Sequence, residues 1–549
     1  MIKVLPNPLY YLDNFQLVLD WVNARYDDVL IQDERDFIST FFKLPQNARA
    51  LFVRMVMRKG ELFRQGKLIY SEIGDVQHAL APLIAAGWIT QDPVLSIDQL
   101  FEILQKPEIV SAFSLSGAYK QLSKAEQLAY LRKLEPGLKP YSAWYPTSQE
   151  VVVHITNKVL CDRLRLIFFG NWHQDWSEFV LSDLGIFRYE SIDISPESRG
   201  FQTRRDIEDY IALQACRDLF DQEKPISHVL EELSKLRIEN DWIRRRHDKF
   251  LFQVGQQAEK IKEWELAIVI YEQTRYLGAR LRKIRVLEKI GQSAQALQLL
   301  NEALASPENE AEFQQLQRSA PRLNRKLGHQ KPAAPGFAKV DAIELQLPYP
   351  MEPFYVEGLV KDYLHREDAP VFYVENTLIN SLFGLLCWSA IFKPIPGAFF
   401  HPFHRGPVDL TSADFYHRRQ DDFTACLAQL DTEEYITTIR QTFEVKQGIQ
   451  SPFVFWSALD EPLLNLALTC ISAKHLHHWF ERILSDVKSN RNGFPDLIQF
   501  WPQEKRYNLI EVKGPGDRLQ DNQKRLIDYC ALHRMPISVC YLEWSKDSQ

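Results

Sequence analysis

The fold of the carboxyl-terminal region is decided by two apolar stretches, Gly493-Phe494-Pro495-Asp496-Leu497-Ile498-Gln499-Phe500 and Tyr507-Asn508-Leu509-Ile510-Glu511-Val512-Lys513-Gly514. The polar segment Pro502-Gln503-Glu504-Lys505 between them is typical of a turn, so the pair predicts an antiparallel hairpin. If the hairpin turns about Gln503-Glu504, Asp496 lies directly opposite Glu511. Side chains alternate along a strand, and Glu511 and Lys513 are therefore predicted on the same face.

This hairpin predicts a metal site at one of its ends. The carboxylates of Asp496 and Glu511 converge there, and carboxylate oxygens are ligands that hard cations such as Mg²⁺ or Mn²⁺ prefer. Lys513 would stand beside the ions, where its ammonium would orient or activate a water molecule. The alternative is a surface hairpin with solvated charges, because short acidic patterns of this kind arise by chance.

The segment that follows Lys513 favours the metal site. Gly514-Pro515-Gly516-Asp517 ends the strand and predicts a helix capped by Asp517. An apolar stripe along this helix is predicted from four residues, Leu519, Leu526, Ile527 and Cys530. Gln523 falls in the same stripe, so its amide is predicted to point back at the strand end and to brace the water or Lys513.

These motifs resemble a known family. The resemblance to the VRR-NUC branch of the PD-(D/E)xK nucleases is carried by three segments, Phe494-Pro495-Asp496, Glu511-Val512-Lys513-Gly514-Pro515 and Asp517-Arg518-Leu519. The whole chain resembles a bacterial member of the Fanconi-associated nuclease family. That resemblance implies a DNA nuclease with four catalytic residues, Asp496, Glu511, Lys513 and Gln523. It also implies two divalent ions, Mg²⁺ or Mn²⁺, held by Asp496, Glu511, Glu375 and the backbone carbonyl of Val512.

The family resemblance implies a structure-specific enzyme. Its substrate would be branched or flapped double-stranded DNA, which it would cut as a 5′-flap endonuclease and a 5′→3′ exonuclease during repair of interstrand crosslinks. Two alternatives stay open on the sequence. The chain could be a junction resolvase or restriction-like endonuclease, because single-domain VRR-NUC proteins often act as dimeric resolvases. It could also be a non-catalytic DNA-binding scaffold, although Asp496, Glu511 and Lys513 are intact.

A second segment resembles the family's helix that delivers a further acidic metal ligand. It consists of Val374-Glu375-Asn376 followed by an apolar run from Leu378 to Leu386. Glu375 precedes Leu378 at helical spacing, which predicts that it lies at the start of the core-facing stripe. The alternative is that its negative charge stabilises the helix N-terminus.

Length and composition indicate a multidomain protein. With 549 residues, of which 45% are hydrophobic, the chain can form several cores. We predict a mainly α-helical architecture with a C-terminal α/β PD-(D/E)xK nuclease core. Residues 1–145 are predicted to form an N-terminal DNA-binding domain, 146–335 a helical TPR-like domain and 336–549 the nuclease domain. The boundary near 335 is drawn at the linker composition of residues 331–336.

The N-terminal region resembles a winged-helix-like module joined to a SAP-like module. Apolar helical patterns over Ala48–Met57 and Val76–Ala86, with Ile89 beyond, predict helix, turn, helix and short strand. The segments Ile97–Gln105 and Ser123–Lys133 predict the two SAP-like helices. Modules of these kinds contact DNA mainly through its backbone.

Helical periodicity dominates the middle of the chain. Helix pairs around residues 254–275 and 278–305 suggest a degenerate TPR-like array, with an ordinary helical bundle as the alternative. Stacked hairpins of this kind form an extended surface, which could contact DNA or partner proteins. The sequence leaves open whether the protein is a monomer or a dimer.

A formal net charge of −7 does not exclude a polyanion ligand, because each neutralised phosphate acts locally. The candidate DNA-binding residues are Arg54, Arg58, Lys59, Arg64, Lys67, Arg244, Arg245, Arg282, Lys488 and Arg491. Lys488 and Arg491 stand just upstream of Asp496, where they could meet a phosphate near the metals. The alternative for each cluster is a solvated helix face.

The sequence departs from eukaryotic family members at two positions that help them capture a terminal 5′ phosphate. Those members place a lysine immediately before the helix glutamine and an arginine ahead of the proline-aspartate motif, where this chain has Asn522 and Lys488. Asn carries no charge, and Lys replaces a bidentate fork with a point charge. We therefore predict only a modest dependence on the 5′ phosphate.

Cysteine usage and hydropathy indicate the compartment. The seven cysteines are scattered and form no CxxC pair, which argues against a disulfide framework or a zinc ribbon and favours a reducing compartment. The N-terminus lacks a charged region followed by an apolar core, and the longest apolar stretch, about 382–392, is too short to span a bilayer. We predict a cytoplasmic, nucleoid-associated protein without membrane insertion.

Overall fold

A computed structural model describes residues 7–135, 137–174, 176, 187–330, 340–350 and 352–545. The chain divides into two compact units, Met1–Phe187 and Arg188–Gln549. The predicted domain boundaries near 145 and 335 stay predictions, and the linker at residues 331–336 lies outside the described residues.

The first unit begins with four helices, and the last two of them are the predicted pair. Its helices are Tyr10–Tyr26, Gln32–Lys43, Gln46–Val56 and Val76–Ala85. An antiparallel sheet of order β1-β5-β2 follows, formed by β1 (Leu62–Arg64), β2 (Ile89–Gln91) and β5 (Val152–Ile155). The ring of Trp88 packs on Phe37 and Phe52, at centroid distances of 4.5 and 5.0 Å. This aromatic cluster fixes the helices against the strand that begins at Ile89.

The SAP-like helices are also confirmed within the first unit. The helices of this part are Ile97–Ile103, Lys106–Ala112, Gly117–Gln121, Lys124–Leu134, Tyr141–Trp144 and Lys158–Phe169, and the paired strands are β3 (Val94–Leu95) and β4 (Lys139–Pro140). Ser96 and Ser123 begin two of these helices with capping boxes, which satisfy exposed backbone N–H groups. Leu100 and Leu131, one from each of the two predicted SAP-like helices, are buried in one core.

The second unit begins with a run of helices that pack in sequence. Their bounds are Arg204–Asp221, Ile226–Ser234, Asp241–Lys260, Trp264–Gln273, Ala279–Lys289, Ser293–Ala305 and Glu310–Lys326. From Asp241 onward each helix packs on the next, as a stacked array of hairpins requires. At Gly255 an added Cβ would lie 2.7 Å from Cε1 of Tyr271, so glycine is what allows these two helices to approach.

The nuclease sheet has five strands in the order β6-β10-β9-β8-β7. They are β6 (Asp341–Leu347), β7 (Val371–Tyr373), β8 (Leu497–Trp501), β9 (Arg506–Lys513) and β10 (Ile537–Trp544). Strand β10 is parallel to β6 and β9, whereas β8 is antiparallel to β9 and β7. The helix Asp521–Leu532 connects β9 to β10, and the helix Val356–Leu364 buries Val360 in the sheet core.

A helical insertion separates β7 from β8. Its helices are Leu378–Leu386, Trp388–Ile391, Gln420–Ala428, Glu434–Lys446, Glu461–Cys470, Ala473–Ser485 and Val487–Asn490. Buried Arg419 and Asp409 pair at 2.9 Å. The ring of buried His401 stacks on the ring of His404 at 4.0 Å, and desolvation lowers the pKa of His404 to about 3. These contacts favour a structural role for this histidine- and arginine-rich segment.

All seven cysteines lie within the described residues, where each is free and buried. In that same part of the chain, we find no helix with the length and apolar composition needed to cross a membrane.

Candidate active site

The hairpin forms with the predicted register. Leu497 pairs with Ile510 and Trp501 with Arg506, so Asp496 stands across from Glu511 at the open end. A short 3-10 turn closes the other end at Pro502–Glu504. The backbone N–H of Val512 donates to Oδ2 of Asp496 at 2.8 Å, which holds this carboxylate beside β9.

Both carboxylates are buried and their pKa values are raised. Asp496 is 8% exposed and Glu511 is 1% exposed. Burial raises the pKa of Asp496 to about 6, with the charges of Glu357 and Glu375 adding to the effect. Burial, followed by the charge of Asp496, raises the pKa of Glu511 to about 7. Carboxylates held near neutral pKa at one end of a sheet are typical of a functional site.

Lys513 and Gln523 both contact Glu511. Nζ of Lys513 lies 2.8 Å from Oε1 of Glu511, and Nε2 of Gln523 donates to the same oxygen at 2.5 Å. Oε1 of Gln523 accepts from the backbone N–H of Gln520 at 2.8 Å, so both ends of its amide are fixed. The prediction that Gln523 points back at the strand end is confirmed, although its partner is the carboxylate and not Lys513.

The predicted helix cap at Asp517 is wrong. The helix begins at Asp521 with Gln520 as its N-cap, and Leu519 lies ahead of it. Asp517 instead accepts a hydrogen bond from the backbone N–H of Gly514 at 3.1 Å. Its carboxylate closes the turn after β9. This turn runs several residues longer than the sequence pattern suggested, so the helix begins later than predicted.

The structure places Glu375 differently from the prediction. It is exposed, in the turn between β7 and the helix Leu378–Leu386, and so belongs neither to a core-facing stripe nor to the first helical turn. Oη of Tyr373 donates to Oε2 of Glu375 at 2.5 Å. Asn376 has a φ of +52° and accepts from the backbone N–H of Phe494 at 3.0 Å. These contacts tie the Glu375 turn to the loop that carries Asp496.

Glu357 is a further acidic residue that the sequence analysis missed. It lies in the first turn of the helix Val356–Leu364. Burial is the main cause of the raised pKa of Asp496, and the charge of Glu357 raises this pKa further, ahead of the charge of Glu375. An acidic first turn is common in helices, so the sequence offered only that weak signal.

The metal-ligand set is not gathered around one point. Among the described residues, no group of three or more His, Cys, Asp or Glu side chains is already positioned to hold an ion. Glu511 is paired with Lys513 instead. Val512 lies between them in β9, with its side chain buried in the sheet core.

Four of the candidate DNA-binding arginines form internal ion pairs. Arg54 pairs with Glu72, Arg64 with Glu108 and Glu150, Arg245 with Asp414, and Arg282 with Glu259. A fifth, Arg244, forms a longer ion pair with Asp241 at 3.6 Å and donates to the backbone carbonyl of Glu239 at 2.8 Å. These contacts favour structural roles for the five residues, and their DNA binding stays a prediction.

The other candidate cations are more accessible. Arg58, Lys59 and Lys67 are exposed on the first unit. In the second unit, Lys488 is exposed and Arg491 is half-buried, with one guanidinium nitrogen donating to the carbonyl of Pro452 at 3.2 Å.

Asn522, the residue before Gln523, packs on the loop that leads to Asp496. Gly493 in that loop has a φ of +88°, and an added Cβ would lie 2.8 Å from Nδ2 of Asn522. The neutral Asn522 side chain therefore fills space against backbone at this point of the site.

Three family models match the chain. They are "FAN1, HTH domain" over residues 9–90, "Fanconi anemia-associated nuclease SAP domain" over 94–144 and "VRR-NUC domain" over 431–544. The matches confirm the two predicted N-terminal modules and the predicted C-terminal nuclease domain.

Several curated relatives are similar over most of this chain. The Fanconi-associated nuclease 1 homolog of Pseudomonas aeruginosa is 49% identical over 99% of this chain and 97% of its own length. The homolog of Oryza sativa subsp. japonica is 24% identical, and Fanconi-associated nuclease 1 of Homo sapiens is 22% identical. This chain spans 63% and 62% of those two longer relatives.

A solved structure is similar over the full length. It is a crystal structure described as paFAN1 bound to 2nt 5′flap DNA with gap, and it matches with a TM-score of 0.87 and 49% identity over 100% of both chains. A second complex, with 1nt 5′flap DNA with gap, matches with a TM-score of 0.85 over 98% of this chain. Near-complete coverage at 49% identity, together with the three domain matches, shows that this chain belongs to the Fanconi-associated nuclease family of DNA nucleases.

Proposed function

We propose that the protein is a structure-specific nuclease that cuts 5′ flaps as an endonuclease and degrades DNA as a 5′→3′ exonuclease, in the repair of interstrand crosslinks. The observation that carries the proposal is the end of the hairpin, where Asp496, Glu511, Lys513 and Gln523 meet. The flap DNA in the two similar complexes supports the choice of substrate.

The chemistry of the donor atoms suits hard divalent cations. Asp496 and Glu511 offer buried carboxylate oxygens, and Glu375 and the carbonyl of Val512 complete an all-oxygen set of the kind that suits Mg²⁺ or Mn²⁺. Two such ions, when bound, would supply Lewis acidity and a water of lowered pKa. Burial keeps the carboxylates partly protonated near neutral pH, so cation binding releases protons.

Lys513 and Gln523 have separate roles in the proposed reaction. Lys513 is 8% exposed, so its ammonium acts in a water-poor site, where it can orient the attacking water and offset negative charge that develops at the phosphorus. Gln523 fixes the orientation of Glu511 through its 2.5 Å hydrogen bond. Phosphoryl transfer depends chiefly on placement and electrostatics, so small displacements of these groups should slow cleavage strongly.

DNA contacts are proposed for the exposed cations. Arg58, Lys59 and Lys67 can reach phosphates without breaking an ion pair seen in the structure. Lys488 and Arg491 precede the Asp496 loop and are proposed to meet a phosphate of the strand near the reaction centre.

The test is cleavage of end-labelled DNA with and without Mn²⁺. Substrates with 5′ flaps, 3′ flaps and four-way junctions are compared, and the proposal expects cleavage of the 5′ flap with added metal. Preference for the four-way junction would favour a resolvase instead. Asp496→Ala or Glu511→Ala should abolish cleavage and leave flap binding largely intact, whereas Glu504→Ala, on the exposed turn of the same hairpin, is the matched control. Loss of DNA binding in step with cleavage would refute the assignment of these carboxylates.

A further inference from the structure

Two exposed tyrosine rings stand beside the reaction centre. Tyr355 is 58% exposed and Tyr373 is 44% exposed, and their centroids lie 6.3 Å apart with planes at 78°. Isolated exposed aromatic residues are common on protein surfaces, so exposure alone carries little weight. These two rings differ from such isolated residues in how they are held and in which residues lie next to them.

Both rings are fixed by the elements that carry the acidic residues. Tyr355 immediately precedes the helix Val356–Leu364, and an added Cβ on Gly358 would lie 2.5 Å from Cζ of Tyr355. The ring therefore lies against the helix backbone, in space that any other residue at position 358 would fill. Tyr373 is held by its hydrogen bond to Glu375. A ring that is already immobilised loses little entropy when a ligand stacks on it.

The pair is next to Asp496 in the sheet. Tyr373 pairs with Leu497, one residue beyond Asp496, and the backbone N–H of Val374 donates to the carbonyl of Asp496 at 2.8 Å. The nearby charges also fit this placement. Burial raises the pKa of Tyr373, and the negative charges of Glu375, Asp496 and Glu357 raise it further.

The charges around the rings determine which part of a DNA strand can bind there. Glu357 lies near the pair, is not among the proposed metal ligands and repels phosphates, so a DNA backbone would avoid this surface. A nucleobase is uncharged and has a flat face that an aromatic ring accepts regardless of sequence. A strand whose phosphate is held at Asp496 and Glu511 could therefore place an adjacent, unpaired base on the tyrosines.

We propose that Tyr355 and Tyr373 form a stacking platform for an unpaired nucleobase next to the scissile phosphate. This subsite rests on the proposed nuclease function and adds the residues that position the strand. Base stacking on aromatic side chains contributes about 1 to 3 kcal/mol per base, which is roughly a 5- to 150-fold effect.

The experiment uses the full chain and a 5′ flap with 2-aminopurine at the first unpaired nucleotide or at either neighbour. Binding is measured in the Asp496→Asn background, where the DNA should stay intact. Stacking on a tyrosine should quench the fluorescence of one labelled position, and Tyr355→Ala should restore it, whereas Tyr355→Phe should keep the quenching. In the chain that retains Asp496, Tyr355→Ala should lower kcat/KM for the flap about tenfold, for each of the four bases at that position.

Gly358→Ala provides a second variant that keeps both rings. Its Cβ should displace Tyr355, so quenching should be lost although the helix gains a better helix former. Tyr363→Ala is the matched control, because Tyr363 is 61% exposed near the other end of the same helix. Tyr373→Phe should keep the quenching and raise the Mn²⁺ concentration needed for half-maximal rate, since Glu375 loses its donor.

Unchanged quenching and unchanged kcat/KM in both Tyr355→Ala and Gly358→Ala would overturn the platform. Failure of the unaltered chain to cut any flap would instead refute the proposed function. Quenching does not require cleavage, so in that case the fluorescence alone decides whether the tyrosines bind a base.

Discussion

Replacement of Asp496 by Asn should inactivate the protein and stabilise it in the absence of metal. The folded-state pKa of Asp496 is about 6, compared with an ordinary aspartate value of 3.8, and burial is the main cause. Between these values the folded state binds more protons than the unfolded state, so stability falls as pH rises from about 4 to 6. Asn is isosteric and neutral, and its side-chain oxygen can still accept from the N–H of Val512.

The magnitude follows from the difference between the two pKa values. A difference of about 2 units at 1.36 kcal/mol per unit gives about 3 kcal/mol at pH 8, where Asp496 is ionised in both states. At pH 5 the folded state still carries most of the proton, and the gain falls to about half of that value. For the unit Arg188–Gln549, an unfolding entropy of about 2.1 cal/mol/K per residue converts these values to rises in Tm of about 4 and 2 °C.

The assay is thermal unfolding of the chelator-treated protein at pH 5 and pH 8. Glu504→Gln is the control, because this exposed carboxylate lies on the same hairpin and its removal should change stability by about 0.5 kcal/mol or less. Added Mn²⁺ should raise the Tm of the original chain more than that of Asp496→Asn, since a ligand stabilises the state that binds it. If metal-free Asp496→Asn unfolds at or below the original Tm at pH 8, then burial of this charge does not destabilise the fold and the reasoning fails.

Lys513→Ala should reduce cleavage by at least about a hundredfold while the affinity for the flap stays near that of the original chain. Binding and single-turnover cleavage are measured in parallel, and an equal loss of affinity would show that Lys513 only contacts DNA. Removing Arg58 and Lys59 together should weaken binding of all DNA sequences alike and lower the slope of log K against log salt by about 2; an unchanged slope would place the phosphate contacts elsewhere. Flaps with and without a 5′ phosphate should be cut at rates that differ by less than about a hundredfold, or about 2.7 kcal/mol, because Asn522 is neutral; a larger difference would reveal a strong phosphate pocket. Gly493→Ala should lower the free energy of unfolding by about 1 to 3 kcal/mol, because φ at this position is +88° and the added Cβ would press on Asn522. An unchanged midpoint in a denaturant titration would contradict this prediction.

The arginines show where sequence reasoning gave an incomplete answer. Arg54 and Arg64 belong to a basic cluster that suggested a DNA surface, yet each is paired with an acidic residue from elsewhere in the chain. Arg245 finds its partner, Asp414, 169 residues away. A charge cluster is visible in sequence, but its neutralisation depends on residues that only packing brings near.

The sequence by itself determined the hairpin and the residues at its end. The register of β8 and β9 depends on a short turn and a two-residue alternation, so Asp496, Glu511 and Lys513 were already placed by local rules. Gln523 was placed by the apolar stripe of Leu526, Ile527 and Cys530 in the next helix, although that helix begins later than the pattern predicted. These relations span few residues, and local geometry leaves them little freedom.

Only the tertiary structure decided what surrounds that hairpin. Glu357 and the tyrosine pair reach the site because β7 joins the edge of β8 and the helix Val356–Leu364 packs on the sheet, although more than a hundred residues separate them from Asp496. The exposure of Glu375 depends on the same edge pairing and on the left-handed turn at Asn376. Contacts across such separations arise from the burial of apolar faces against one another, and no local periodicity encodes which charged or aromatic groups that packing brings together.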